Sequence, residues 1–445
     1  MSTRQDVPVF PVLLVNFIGF LGYSLIIPIL VFLVEHFGGN AFVYGIVGAI
    51  YPAFQLIGAP LLGRWSDRVG RRRALLVSQI GTLAAWCLFI VSLLLPVREL
   101  MAVDSAVLGA FSISVPLLLL LVARALDGLT GGNVSVANAY MSDISNDSNR
   151  KANFGKLGSS TSLGFVIGPA AAGLLGATAL GELLPVIVAA VVSLIAVAAI
   201  YFYLPESKPK EVRAEETEEN PRWLHKPAGI EHKDCYDQEK KQPAGGLRTI
   251  LQLEGVPLLF LIYFLTFFGF SFFYSGLPIL ASSQLDWDSG RLGIFFAVTS
   301  TVMVLTQGPL LSFLSARTQD KTLVSAGAFL LAASFLFFPR AEAFWVYLGG
   351  IVLALGNGTM WPSFLSILGR TGPKQLQGAV QGYANSMGSF ASILGLVGGG
   401  TLYASLGPQV FYFAGGLVFV IFLLSFLIDW GRAVPTRSLS GEAAV

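Results

Sequence analysis

Charged residues are scarce in this chain, and hydrophobic residues make up more than half of it. Of 445 residues, 12% are charged and 54% are hydrophobic, and the mean hydropathy is +0.70. Soluble domains carry about 25% charged residues, roughly twice this share. A soluble fold with so few charges would leave large apolar patches in water. The scarcity of charge therefore excludes an ordinary soluble protein and indicates an integral membrane protein.

Cysteine and histidine are also rare. The two cysteines, Cys87 in an apolar run and Cys235 in a polar segment, are too few for a disulfide framework or a thiolate metal site. The three histidines, His36, His225 and His232, all lie in loops or near the ends of apolar runs, which excludes a histidine site within the membrane. The chain also lacks a phosphate-binding GxxxxGK[S/T] loop, which argues against direct use of ATP. We therefore predict a protein that is not an enzyme and carries no cofactor or metal.

Twelve apolar runs reach the length of about 20 residues that a helix needs to cross a bilayer. They cover residues 8–34, 42–63, 74–95, 116–142, 153–178, 183–204, 256–282, 291–315, 322–339, 344–368, 377–403 and 409–430. A transmembrane β-barrel would show alternating segments of about ten residues instead. The first run is also too long for a cleaved signal peptide. The sequence predicts an all-α membrane protein with twelve transmembrane helices, numbered 1 to 12 below.

The basic residues predict how these helices are oriented. With both termini inside the cell, 24 of the 28 lysines and arginines lie on the cytoplasmic side. Arg98, Arg291 and Arg340 lie outside, and Arg124 lies within helix 4. Short cytoplasmic loops are enriched in basic residues, and the net charge of +2 gives no support for a nucleic-acid partner. We predict a multi-pass protein of the inner cell membrane with cytoplasmic N- and C-termini.

A polar segment divides the chain into two halves. Residues 206–250 include the acidic cluster 215–219 and cannot bury enough apolar surface to fold. We expect this segment to be a cytoplasmic linker that tethers an N-terminal half, 1–205, to a C-terminal half, 251–445, without forming the substrate site.

The two halves echo each other. PLLGRWSDR, residues 60–68, matches PLLSFLSAR, residues 309–317, at a displacement of 249, and IIPIL at 26–30 matches GLPIL at 276–280 at a displacement of 250. The similar displacements indicate two six-helix pseudo-repeats. Secondary transporters use such repeats, with the substrate site between them near the bilayer midplane.

The stretch GRWSDRVGRRR, Gly63 to Arg73, concentrates five arginines and one aspartate between helices 2 and 3. Topology alone would require only the cations. Glycines also permit close packing at a helix exit, and an aspartate beside arginines can form charge-assisted hydrogen bonds. We therefore interpret this stretch as a loop that holds helix ends together.

This stretch resembles the signature of the major facilitator superfamily between helices 2 and 3. The resemblance implies that Gly63, Asp67, Gly70 and Arg71 form a latch that locks the cytoplasmic helix ends and stabilises the outward-open state. It also implies that Asp143, at the end of helix 4, pairs with Arg71. The likeness covers nearly the whole chain and implies the major facilitator fold.

Helices 4 and 5 extend the resemblance. Arg124 and Gly128 in RALDG resemble the helix 4 arginine motif of the superfamily. The glycines and proline of helix 5 resemble the motif of its antiporters, with Ala172 where a glycine is usual. They are Gly155, Gly164, Gly168, Pro169 and Gly173. Below superfamily level, the chain looks like the tetracycline and multidrug/proton antiporter branch. Small residues at this spacing also pack membrane helices generally, which is the alternative reading.

One residue departs from that branch. Its tetracycline exporters carry an aspartate in helix 1, nine residues before a proline, and the corresponding position before Pro28 is Gly19. Arg124 and Asp127 are instead ionisable residues well inside helix 4, where such residues are costly and mark function by default. Three positions apart, they can meet on one helix face. We predict that this pair couples transport to protons, the alternative being a purely structural ion pair.

Polar and aromatic residues predict a substrate cavity. Gln381, Asn385 and Ser389 share one face of helix 11 because they recur every four residues. Such a face turns toward protein or water, so these side chains either line a cavity or bond a neighbouring helix. The predicted cavity residues are Asn16, Tyr274, Gln307, Asn357, Trp361, Gln381 and Asn385.

These features predict a monomeric secondary active transporter that exports a small hydrophobic or amphipathic molecule by proton antiport with alternating access. Its expected partners are the small-molecule substrate, protons and the lipid bilayer. Two alternatives stay open. One is a proton symporter or facilitator for uptake of a polar nutrient, and the other is a non-transporting membrane receptor.

Overall fold

The computed structural model describes residues 9–105, 108–131, 133–145, 150–207, 247–373 and 376–427. Most of the predicted linker therefore lies outside the described residues. The two predicted halves each contain six membrane helices, and the halves pack against each other through helices 2 and 11 and through helices 5 and 8.

Several helices of the first half are interrupted or longer than predicted. Helix 1 breaks at Ile26, just before Pro28, which cannot donate a helical hydrogen bond. The helices of this half are helix 1 (Phe10–Leu25 and Ile27–His36), helix 2 (Ala41–Val69), helix 3 (Arg71–Leu94), helix 4 (Val115–Thr130 and Asn133–Asp143), helix 5 (Arg150–Gly176) and helix 6 (Leu183–Tyr203).

The second half repeats this arrangement after a short helix, Leu247–Leu251. Helix 8 contains a π-helical turn, Thr306–Leu310, around Pro309. The helices are helix 7 (Val256–Ser283), helix 8 (Ser289–Leu305, continued by Thr306–Leu310 and Leu311–Ser315), helix 9 (Asp320–Ser334), helix 10 (Ala343–Leu368), helix 11 (Gln377–Leu406) and helix 12 (Val410–Leu427).

Eleven stretches of the described residues are long and apolar enough to cross a membrane. The last of them, Ala379–Leu427, has 49 residues and contains both helix 11 and helix 12. The chain turns between these two helices at Gly407, which has a φ of +58°. The predicted all-α membrane fold is thus confirmed, and the twelve predicted helices are all present.

The predicted loop between helices 2 and 3 is much shorter than expected. Helix 2 continues through Gly63 and Asp67 to Val69, and helix 3 begins at Arg71, so Gly70 alone separates them. The predicted loop was too long because charged residues do not end a helix. Helix 2 continues through its charged residues beyond its apolar region.

A β-hairpin between helices 3 and 4 was not predicted. Strand β1, Glu99–Ser105, pairs antiparallel with strand β2, Gly109–Ser114. The hairpin packs against the connection between helices 1 and 2, where the N–H of Ser112 donates to the carbonyl of Gly38 at 2.8 Å. We call this end of the protein the hairpin end, and the end that carries Gly63 to Arg73 the arginine end.

The contacts between the halves lie toward the hairpin end. Helix 2 meets helix 11 at Gly45, where an added Cβ would lie 2.6 Å from the carbonyl oxygen of Leu396. Helix 5 meets helix 8 where Gly173 faces Gly293 backbone to backbone. The hydroxyl of Ser282 in helix 7 also donates to the Glu35 carboxylate of helix 1 at 2.8 Å.

The arginine end is more open. The side chain of Asp67 is 61% exposed, and Gln381 and Asn385 of helix 11 are exposed. The described residues therefore show a conformation that is closed at the hairpin end and open at the arginine end.

Candidate functional site

The structure brings three of the predicted latch residues together. The guanidinium of Arg71 lies 2.6 Å from a carboxylate oxygen of Asp67 and 3.0 Å from one of Asp143. The side chains of Arg71 and Asp143 are each 14% exposed, so this pair is largely shielded from water. The pair joins the start of helix 3 to the end of helix 4.

Glu206 is a member of this cluster that sequence reasoning missed. Its carboxylate accepts a hydrogen bond from the backbone N–H of Arg71 at 2.7 Å, so it caps the N-terminus of helix 3. The next residue, Ser207, donates its hydroxyl to Asp143 at 3.0 Å. Both residues follow helix 6 directly, but nothing in the sequence indicates which helix their side chains reach.

The two predicted latch glycines, Gly63 and Gly70, differ in how strictly their positions require glycine. Gly70 has a φ of +100°, and an added Cβ would collide with the carboxylate of Glu206. At Gly63 an added Cβ would meet only the hydroxyl of Ser135, at 3.7 Å. Glycine is therefore needed at position 70 for both conformation and space, whereas position 63 has room for a small side chain.

Arg124 and Asp127 form a buried ion pair inside the first half. Their side-chain atoms lie 3.4 Å apart, and the two residues are 3% and 7% exposed. The guanidinium of Arg124 lies 4.8 Å from the ring centre of Tyr51 and 5.9 Å from that of Tyr23. Such contacts with ring faces stabilise a cation. Sequence reasoning missed both tyrosines because they lie on other helices.

A small cavity lies beside Asp127. It has a volume of about 10 Å³, and Gly19, Trp86, Asp127 and Asn133 are among its lining residues. Gly19 is the helix 1 position at which the resemblance implies an acid, and an added Cβ there would lie 2.7 Å from the side-chain nitrogen of Asn133. Asp127 therefore borders the same space that an acid at position 19 would enter.

The helix 5 glycines lie in helix contacts. An added Cβ at Gly164 would be 2.8 Å from the carbonyl oxygen of Phe17, and one at Gly168 would be 2.9 Å from that of Leu21. Pro169 lies inside the helix, and Gly155 lies in its first turns. Gly164 and Gly168 thus let helices 1 and 5 approach closely, and Gly173 does the same between the halves.

Asn16 lies in the contact between helices 1 and 5, not in open space between the halves. It is 4% exposed, and its amide nitrogen lies 2.8 Å from the hydroxyls of Ser160 and Thr161. Its hydrogen bonds are used within the first half, because a polar side chain buried there needs partners. Its position therefore gives no support to the prediction that it lines the substrate cavity.

The second half brings Trp361 and Asn385 together through Tyr263, which the sequence did not single out. The Tyr263 hydroxyl donates to Asn385 at 2.7 Å, and its ring packs edge-on against Trp361 with centres 5.2 Å apart. Asn385 is exposed and Trp361 is partly exposed. These residues form a polar and aromatic surface on helices 7, 10 and 11.

The remaining predicted cavity residues are spread over the second half. Gln307 is half-buried in the π-helical turn of helix 8, and Asn357 donates weakly to the Met303 sulfur at 3.8 Å. Gln381 is exposed beside the end of helix 10. Tyr274 lies where the halves meet, and its backbone carbonyl accepts from the hydroxyl of Tyr44 at 2.8 Å.

Comparisons with known proteins match nearly the whole chain. The family profile described as Major Facilitator Superfamily matches residues 12–306 and 259–444. The class D tetracycline resistance protein of Salmonella ordonez is 28% identical over 92% of both chains. The major facilitator superfamily domain-containing protein 10 of Mus musculus is 24% identical over 89% of this chain and 80% of its own length.

A solved structure shows the same fold. The crystal structure of the human organic anion transporter MFSD10 (TETRAN) superposes with a TM-score of 0.65 at 22% sequence identity. It covers 96% of this chain and 100% of that one. At this identity the similarity supports the fold and says nothing of the substrate.

Proposed function

The chain belongs to the Major Facilitator Superfamily and is a multi-pass membrane transporter, and we propose that it exports a small hydrophobic or amphipathic molecule in exchange for protons. The observation that carries this proposal is the buried Arg124–Asp127 pair beside the cavity that Gly19 also lines. Ionisable residues at this depth are costly to bury and by default mark a functional site. Asp127 is thus the proposed proton carrier, and Arg124 its partner.

The proposed mechanism is alternating access between two halves, residues 1–205 and 251–445, joined by the tether 206–250. We propose that the arginine end faces the cytoplasm and that the protein lies in the inner membrane, which the excess of basic residues at this end supports. With that orientation, the conformation open at the arginine end is the proposed inward-open state, and the proposed transporter acts as a monomer. Substrate would enter from the cytoplasm along the surface formed by Tyr263, Trp361 and Asn385.

Transport assays in liposomes test this function. Purified protein is reconstituted, and uptake of radiolabelled tetracycline and of ethidium is followed in vesicles with an acidic lumen. A proton antiporter accumulates its substrate in the acidic compartment, because outward proton flow drives inward substrate flow. Protein-free vesicles correct for passive uptake. Accumulation only in vesicles with an alkaline lumen would show symport and contradict the proposal.

The backbone contact between Gly173 and Gly293 predicts a strong effect of a larger side chain. Valine at position 173 would overlap the backbone of helix 8, so the halves cannot close at the hairpin end. We expect Gly173→Val to insert normally and to lose transport of the two probes. Gly158→Val is the matched control on helix 5, because an added Cβ there meets nothing within 4 Å. Equal transport by the two variants would refute this account.

The latch residues Gly63, Asp67, Gly70, Arg71 and Asp143 are proposed to close the arginine end in the outward-open state. In the described conformation, Asp67 is exposed, so the latch is not engaged with the second half.

Arg71→Ala is therefore expected to impair transport without preventing insertion. Removing one partner of a largely buried ion pair typically costs about 3 kcal/mol or more of stability, and here it would loosen the joint between helices 3 and 4 that the proposed latch requires. Transport per inserted molecule is the measurement. Arg64→Ala is the control, since Arg64 is an exposed arginine of the same stretch whose guanidinium bonds the Pro60 carbonyl. If Arg71→Ala transports as well as Arg64→Ala, the arginine serves topology alone.

A further inference from the structure

Trp86 carries a buried hydrogen-bond donor that has no protein partner. The residue lies on helix 3 and is 3% exposed, and its indole N–H contacts no acceptor among the described residues. Its ring stacks on Phe89 with centres 5.9 Å apart, which holds the indole in place. A buried N–H without a partner destabilises the fold unless an ordered water accepts from it.

The cavity beside Asp127 provides space for such a water. Trp86 lines this cavity, and the Nε1 edge of its ring lies 3.7 Å from where a Cβ at Gly22 would be. Gly19 and Gly22 both line the cavity, so the lack of side chains on this face of helix 1 leaves it open. Its volume of about 10 Å³ is close to the minimum that one water molecule requires.

The cavity walls also supply the other partners that a buried water needs. Thr82, Asp127, Asn133 and Ser193 all contribute to the lining. Buried waters typically make about three hydrogen bonds, and these side chains offer both donors and acceptors. A metal cation fits poorly here, because the guanidinium of Arg124 lies 3.4 Å from the Asp127 carboxylate and the indole N–H repels positive charge.

We infer that this cavity binds one water molecule, which accepts a hydrogen bond from Trp86 and donates one to Asp127, and that this water passes protons to and from the carboxylate. The second part rests on the proposed function. In the loading step, the water gives one O–H proton to the carboxylate while an incoming proton from the solvent forms a new O–H bond on the water oxygen, so no cation occupies the cavity. Neutral water remains, so charge and atoms balance.

The groups that surround Asp127 are consistent with this role. The charged or titratable side chains that face it are Arg124 on its own helix, Tyr23 on helix 1 and Tyr51 on helix 2. Helices 3 and 6 present only Thr82, Trp86 and Ser193 to the cavity. The rings of both tyrosines lie beside the guanidinium of Arg124, with centres 5.9 Å and 4.8 Å from it.

Hydroxyl-radical footprinting tests the water site directly. X-ray irradiation of the protein in liposomes makes radicals from bound water, which oxidise adjacent side chains, and mass spectrometry then gives the rate at each tryptophan. Trp287 is the matched control. It is also buried, although its exposure of 8% is higher than that of Trp86, and it does not line the cavity beside Asp127. We expect Trp86 to be oxidised several-fold faster than Trp287. Equal or slower oxidation of Trp86 would show a dry cavity and overturn the inference.

Trp86→Phe tests the proton relay, since it keeps an aromatic ring and removes the N–H. We expect slower proton-driven accumulation of tetracycline or ethidium, with unchanged exchange of the probe in the absence of a pH gradient. Trp287→Phe is the control. Normal accumulation by Trp86→Phe would overturn the relay even if footprinting detects the water. Failure of the proposed function is distinguishable, because the unsubstituted protein would then accumulate neither probe in vesicles with an acidic lumen, or Asp127→Asn would still pump, whatever the footprint at Trp86.

Discussion

Replacing Asp127 by asparagine is expected to abolish accumulation of substrate against its gradient while exchange down the gradient continues. Asparagine keeps the shape and a hydrogen-bonding side chain beside Arg124 but cannot carry a proton. The ion pair is buried, with its atoms 3.4 Å apart, so protonation of Asp127 changes its attraction to Arg124 strongly. Without that change, the pH gradient has no means of biasing the conformational cycle.

The measurement compares two assays on the same liposomes. Tetracycline or ethidium accumulation in vesicles with an acidic lumen should fall to the level of protein-free vesicles, and counterflow at equal pH should persist. Arg124→Ala should damage both activities, because it leaves an uncompensated carboxylate in a buried site. Uphill accumulation by Asp127→Asn would refute the assignment of Asp127 as proton carrier. Asp67 and Asp143 would then be the next candidates for that role.

Moving the acid from helix 4 to helix 1 is expected to restore coupling. Gly19 and Asp127 line the same cavity, so an aspartate at position 19 would place its carboxylate in nearly the same space. Its Cβ would lie 2.7 Å from the end of the Asn133 side chain, which can rotate away and donate a hydrogen bond to the new acid. We therefore expect Gly19→Asp to rescue a substantial part of the accumulation lost in Asp127→Asn.

An isosteric control separates proton carriage from space filling. Gly19→Asn in the Asp127→Asn background fills the same space and offers an amide to Asn133, but it cannot be protonated. This variant should show no rescue. If the asparagine rescues as well as the aspartate, or if the aspartate fails while the protein is folded and exchanges substrate, the cavity is not where the proton is carried.

Most of the fold was predictable from the sequence because a bilayer imposes a local rule. Each helix needs about 20 apolar residues in a row, and that requirement is visible without knowing which helices touch. The repeat between residues 60–68 and 309–317 likewise predicted two halves. The stretch from Gly63 to Arg73 was predicted to be a loop but is almost entirely helical, because the end of an apolar run does not mark the end of a helix.

The candidate site was predictable only in part. Arg124 and Asp127 stood out because charge within an apolar run is rare, and Arg71 and Asp143 because they match a family motif. Tyr263 and Trp86 gave no such signal, since aromatic residues are common in membrane helices. Asn16 looked like a cavity residue, yet it bonds helix 5, because polarity alone does not say which neighbour a side chain meets.

The sequence by itself indicated that this chain crosses a membrane in two similar halves and that Arg124 and Asp127 lie within an apolar run of helix 4, three positions apart. Tertiary structure alone decided that Glu206 caps the start of helix 3 from 135 residues away and that Gly173 meets Gly293 across the halves. It also decided that Gly19 and Asp127 border one cavity. The physical reason is that hydrophobicity acts along a single helix, whereas hydrogen bonds, close packing and cavities depend on which helices pass within a few ångströms of each other.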